Sequence, residues 1–122
     1  MQRVRRSGTK PETAVREMLR ELHIRYRTSV KTLPGTPDMA NRRAGWAIFV
    51  HGCFWHGHTG CRLYRLPKTN PEFWAQKVEA NRARDERKSE QVRALGLRVV
   101  TIWQCELSDP EALKARLRQL PA

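Results

Sequence analysis

Acidic residues are scarce in this 122-residue chain: 12 Asp and Glu stand against 24 Lys and Arg, for a formal net charge of +12. Most of the excess is arginine, whose planar fork suits phosphate oxygens. Such an excess in a small domain points to a polyanion, usually nucleic acid. A basic amphipathic helix with a Trp/Phe/Leu face, the mark of attraction to a membrane surface, is missing. So is any apolar run approaching a membrane span, and no charged-then-apolar leader opens the chain; a cytoplasmic protein without membrane association is expected. Cysteine is sparse too. Three cysteines cannot all pair within the chain, and with histidines close by they favour metal ligation over a disulfide framework. There is no internal repeat, linker or low-complexity segment, so residues 1–122 are read as one domain, expected to be a monomer.

Apolar periodicity gives the order α-β-β-β-α-β-α, which describes a mixed sheet with helices packed on it. Residues 1–8 are basic and aperiodic, a flexible arm. A first helix follows, with Thr9 and Glu12 as a capping box and Ala14, Val15, Met18, Leu19 and Leu22 as its apolar face. "IRYRTSV" alternates as a strand. "MANRRAG" and "WAIFVHG" read as two short strands around an Arg-Arg-Ala-Gly turn. A long polar helix begins at Pro71 and ends with Gly96 as its C′ residue; its middle turns are solvated or face something charged. "LRVVTIW" is apolar on both faces from Val99 to Trp103, which suggests a central strand. Ser108 and Glu111 suggest a second capping box, before a last helix striped by Leu113, Leu117 and Leu120. Trp46 and Trp103, both on strands, are core candidates.

The densest chemistry lies in "VHGCFWHGHTGC", Val50 to Cys61. Cys53, His58 and Cys61 are spaced C-x4-H-x2-C, and Cys105 sits just past the last strand. Four soft ligands suit a closed tetrahedral zinc site, structural because it leaves no open position. The bland alternative is buried cysteines acting as small hydrophobes.

Asp38 ends a turn and starts a strand, and His51 ends the next one. A carboxylate there, with an acidic-x-Lys unit on the following strand, is the layout of the PD-(D/E)xK nucleases. Here that unit is Phe49-Val50-His51, so Asp38 is left as the one obvious carboxylate ligand and a main-chain carbonyl has to supply a second. Asp after Pro is also an ordinary turn residue. His51 and His56 are candidates for moving protons near a Mg²⁺-bound phosphodiester, or else core histidines or further zinc ligands. Glu12 is either the capping-box partner alone or a supporting acid of the site, if the start of that helix abuts the hairpin. Asn81, Arg82 and Arg84, on the polar middle of the long helix, suit contacts to phosphates or base edges.

Together "LPGTPD", "AIFVHGCFWHGH", "PEFWAQKVEANRARDERK" and "GLRVVTIWQCEL" resemble the very-short-patch-repair (Vsr) DNA mismatch endonucleases, from about Thr9 to Leu107. The resemblance implies a restriction-endonuclease-like α/β fold, a mixed sheet flanked by helices with a structural zinc site. It also implies Mg²⁺-dependent nicking of one strand, 5′ of the mispaired thymine in a T·G mismatch, to initiate very short patch repair. By position Asp38 resembles the metal-binding aspartate and Val50 the residue whose carbonyl binds the same Mg²⁺, although the family often has Thr there. His51 and His56 resemble the catalytic histidines, and Glu12 the acid that supports them. Cys53, His58, Cys61 and Cys105 resemble the zinc ligands, with one extra residue in "HTGC". Phe54, Trp55 and Trp74 resemble the aromatic wedge that enters duplex DNA beside the mismatch. The partner implied is double-stranded DNA carrying a T·G mismatch, and a mismatch-repair protein is a further one. The competing readings are a zinc-stabilised DNA-binding module without catalysis, and a nuclease of the same fold with a different DNA target.

Overall fold

The computed structural model describes residues 10–53, 56–58, 61 and 66–121. Three short strands form antiparallel pairs in chain order: β1 (Arg27–Thr28), β2 (Met39–Asn41) and β3 (Trp46–His51). Asn41 Oδ1 accepts from the Ala44 N–H across the β2–β3 turn, and Gly45 takes a φ of 94°, a conformation open to glycine. The fourth strand, β4 (Arg98–Trp103), pairs with β3 in parallel, so the chain must cross over between them. The long helix α2 (Pro71–Ala94) supplies that crossover. It ends as expected, with Gly96 at φ 88° donating to the Arg93 carbonyl.

Alternation along the strands sends side chains to two apolar layers. Met39, Trp46, Ile48 and Ile102 meet α1 (Lys10–Glu21) and α3 (Pro110–Leu117) on one face, where Val15, Leu19 and Leu117 are fully buried. Ala40, Ala47 and Phe49 meet Val92 of α2 and Leu33 on the other. Burying one such side chain is worth about 1.5–3 kcal/mol. The mixed α/β architecture anticipated from periodicity is therefore present, with helices on both faces.

Two local expectations are corrected. Within the described sheet, ordered β1-β2-β3-β4, the fourth strand lies at an edge and is not central. Its apolar residues point both ways because helices cover both faces, and a covered face says nothing about a paired edge. Ser108 does not cap α3; it closes a 3₁₀ turn (Gln104–Ser108) by donating to the Cys105 carbonyl. Asp109 caps instead, accepting from the Ala112 N–H, because Pro110 fits the first helical position and lacks an N–H to satisfy. The Thr9 cap and the arm 1–8 lie outside the described residues. No helix among the described residues is long and apolar enough to cross a membrane.

Candidate active site and metal centre

Asp38 stands at the start of β2, where its N–H donates to the Ile48 carbonyl and extends the ladder with β3. Its carboxyl reaches along the same edge, and Oδ2 accepts from the Val50 N–H at 2.6 Å. Glu12, in the first turn of α1, hydrogen-bonds the Asp38 side chain from the other side. Burial, reinforced by Glu12 and partly offset by the Val50 N–H, pushes the Asp38 carboxyl up to about 7. The start of α1 thus abuts the hairpin, and the acid that Glu12 meets there is Asp38, where the resemblance had it supporting the histidines.

His51, the last residue of β3, is 8% exposed, and its Nδ1 has no hydrogen-bond partner. Burial, followed by the neighbouring His56, brings its pKa down to about 4. His56 stacks flat on His51, with ring centroids 4.0 Å apart and planes 4° from parallel. The two imidazoles share Asp85: its Oδ2 lies 2.5 Å from His56 Nδ1 and 4.0 Å from His51 Nδ1. Asp38, Val50, His51, His56, Asp85 and Lys88 line one cavity of about 210 Å³.

Asp85 and Lys88 were not singled out by sequence reasoning. The signal was present in α2, where Val78, Arg82, Asp85, Ser89 and Val92 recur at alternating spacings of four and three. That is one helical face, with apolar ends and a polar middle. Its middle packs against the histidines on this face, while Arg84, Glu86 and Arg87 on the rest of the helix are exposed.

Cys53, His58, Cys61 and Cys105 offer ligand atoms that all lie within 4.8 Å of one another. His58 Nδ1 is 3.6 Å from Cys53 Sγ and 3.4 Å from Cys105 Sγ. Burial pushes the Cys53 thiol up to about 12 and raises Cys105 as well. Three sulfurs and an imidazole nitrogen at this spacing can hold a soft divalent ion, which deprotonates thiols on binding. Trp103 joins the two centres and is only partly buried, unlike Trp46, which is fully buried. One ring face stacks on His58 at 4.1 Å, and His51 meets it edge-on at 5.2 Å.

The loop between the centres is clamped from α2. Arg82 donates from Nε and Nη2 to the Gly57 carbonyl, at 3.0 and 2.6 Å. Gly57 has φ 60°, and an added Cβ would overlap Val78 Cγ1 and sit 2.7 Å from Arg82 Nε, so only glycine lets the loop come this close. Arg84 is exposed and donates to Asn81 Oδ1 at 3.0 Å. Trp74, in the first turn of α2, meets Phe73 edge-on at 5.1 Å, and Phe73 is 53% exposed. Phe54 and Trp55 lie outside the described residues.

Known proteins are similar to this chain over most of its length. The family model described as DNA mismatch endonuclease Vsr matches residues 1–62. The type II nicking enzyme V.XorIIP of Xanthomonas oryzae pv. oryzae is 53% identical over 120 residues, covering 98% of this chain and 88% of that protein. The type II nicking enzyme V.NmeAIP of Neisseria meningitidis is 35% identical, covering 98% and 85%. DNA mismatch endonuclease Vsr of Escherichia coli K12 is 38% identical over 106 residues, covering 84% of this chain and 67% of that protein.

Proposed function

The chain belongs to the Vsr family of DNA mismatch endonucleases, with a restriction-endonuclease-like fold, and we propose that it nicks one strand of duplex DNA 5′ of the mispaired thymine in a T·G mismatch, using Mg²⁺, and so initiates very short patch repair. The observation that carries this reading is the single cavity shared by Asp38, Val50, His51 and His56. A buried carboxyl beside a second acid, with its proton affinity raised to about 7, is short of positive charge. The Asp38 carboxylate and the Val50 carbonyl would hold a hard divalent cation, which would supply that charge, polarise the scissile phosphate and acidify a water.

The protein's own groups handle the protons. The Asp85 contact fixes the His56 tautomer with its hydrogen on Nδ1, leaving the Nε2 lone pair free to take a proton from the attacking water. Asp85 then faces an imidazolium, whose charge it balances. His51 is neutral at pH 7; it holds the plane of the His56 ring and offers the cavity an uncharged imidazole. The Cys53, His58, Cys61 and Cys105 set fits zinc in a closed, structural role, tying the loop to the end of β4.

Mismatch selection falls to the aromatic residues. Phe54, Trp55 and Trp74 entering a base step cost about a few kcal/mol of unstacking, and a wobble pair lowers that cost. Asn81, Arg82 and Arg84 are assigned to DNA beside the cleft, with Arg82 also holding Gly57. The test is cleavage of a labelled duplex panel carrying T·G, other mismatches and a matched control, with and without magnesium. A magnesium-dependent nick confined to the thymine strand of T·G is expected. Equal rates on matched DNA would leave a general nuclease, a different preferred mismatch would leave a nuclease with another target, and binding without any nick would leave a zinc-stabilised DNA-binding module.

A further inference from the structure

A groove of about 1080 Å³, larger than the catalytic cavity, runs along β1 and the β2–β3 turn. Arg25, Arg27, Lys31, Arg42 and Arg43 line it, all exposed, and no acidic residue does. Among the described residues none of the five forms an ion pair, although four other arginines and lysines of this chain do. Five cations around one concavity, without an ion-pair partner among the described residues, make a field that attracts an anionic occupant.

Register fixes where the groove lies. Arg27 pairs with Ala40, so its side chain leaves the sheet on the α2 side, as that of Ala40 does. Asp38 is two residues before Ala40 on the same strand, and its carbonyl accepts from the Ser29 N–H. Strand geometry then puts the Arg27 and Asp38 backbones roughly 8 Å apart on one face. The groove thus neighbours the catalytic cavity, although the two share no lining residue, and runs past β1 to the turn bearing Arg42 and Arg43. Protection of an edge strand from aggregation accounts for a lysine or arginine on β1 itself. It does not account for the arginine pair at the turn, or for a concavity joining the two.

We propose that this groove is a second phosphate-binding track, which holds the backbone of the duplex flanking the bond cut at Asp38. It rests on the proposed reaction only for the identity of the duplex. The track supplies affinity without reading sequence, because contacts to phosphates carry no sequence information.

The experiment is the salt dependence of binding to a matched duplex without added magnesium. Wild type is compared with a fourfold variant, Arg25→Gln, Arg27→Gln, Arg42→Gln and Arg43→Gln. A control variant, Arg20→Gln with Arg118→Gln, removes charge from α1 and the end of α3, on the opposite face. Each phosphate contact contributes about 0.9 to the slope of log affinity against log salt. The fourfold variant is expected to be shallower by about two or more, to lose affinity equally for matched and T·G duplexes, and to cut a saturating T·G duplex at the wild-type single-turnover rate. A smaller change in slope, or an equal one in the control, overturns the proposal. Should the fourfold variant melt early, the pairs Arg25/Arg27 and Arg42/Arg43 are changed separately, each with an expected loss of about one. A wild type that binds with the full slope but cuts nothing sinks the proposed reaction and leaves the track standing. An unchanged slope in a variant that cuts T·G normally sinks the track alone.

Discussion

His56 Nδ1 lies 2.5 Å from Asp85 Oδ2, joining the loop of the metal centre to the middle of α2 across 29 residues of sequence. The contact sets the tautomer of the imidazole, with the hydrogen on Nδ1, because a carboxylate only accepts. Asp85→Asn keeps the shape but reverses the preference of the side-chain contact and removes the charge that stabilises an imidazolium. Single-turnover cleavage is expected to fall by roughly a hundredfold or more, within the range of acid–base contributions, with duplex binding little changed. Cleavage within a few-fold of wild type would remove His56 from proton transfer.

Asp38 and His51 make opposite contributions to the pH dependence of stability. The Asp38 carboxyl is raised from 3.8 to about 7, so the native state holds more protons than the unfolded chain in that interval. Its contribution is full below 3.8 and is lost as pH rises through 7. His51 is lowered from 6.5 to about 4, so the unfolded chain holds more protons there. Its contribution is full above 6.5 and is lost as pH falls through 4. Asp38→Asn is therefore expected to gain in Tm over wild type as pH rises from 4 to 8 without divalent ions, while His51→Gln gains as pH falls. Added magnesium is expected to raise the wild-type Tm at pH 8 and leave that of Asp38→Asn unmoved. Tm differences flat in pH contradict the assigned burial of both groups.

Zinc binding is expected to be part of folding, because its ligands come from a loop and from the distant end of β4. One zinc per chain is expected by metal analysis. Cys105→Ala should lose the metal and melt well below wild type. A metal-free chain with an unchanged Tm would show the four side chains to be mere neighbours.

Arg82 is expected to act first on the loop. Arg82→Ala removes both donors from the Gly57 carbonyl, a loss of about 1–3 kcal/mol for hydrogen bonds to a charged group. Cleavage and zinc retention should both drop, and proteolysis near residues 56–61 should quicken. A loss of duplex affinity alone, with stability and zinc intact, would make Arg82 purely a DNA contact.

The parts of this molecule legible in the sequence are those whose signal is local. The apolar face of α1, the Gly96 stop of α2 and the C-x4-H-x2-C spacing each fit within a few turns of chain, and each is present in the structure. Asp38 and His51 were legible because a hairpin brings them together. Asp85 was not, since nothing local distinguishes it from other acids on a charged helix, and only its contacts with His51 and His56 turn it inward. The edge position of β4 and the displaced cap at Asp109 failed for the same reason: apolar pattern reports covered faces, and capping motifs compete with a neighbouring Pro.

The assignment of the cavity at Asp38 as the catalytic centre is tested most directly by Asp38→Ala on an end-labelled T·G duplex, with binding and single-turnover cleavage measured on the same sample in magnesium. Cleavage should disappear while duplex affinity stays within a few-fold of wild type, because affinity rests on the many Lys and Arg contacts. Cleavage by Asp38→Ala at the wild-type rate would place the chemistry elsewhere in the protein.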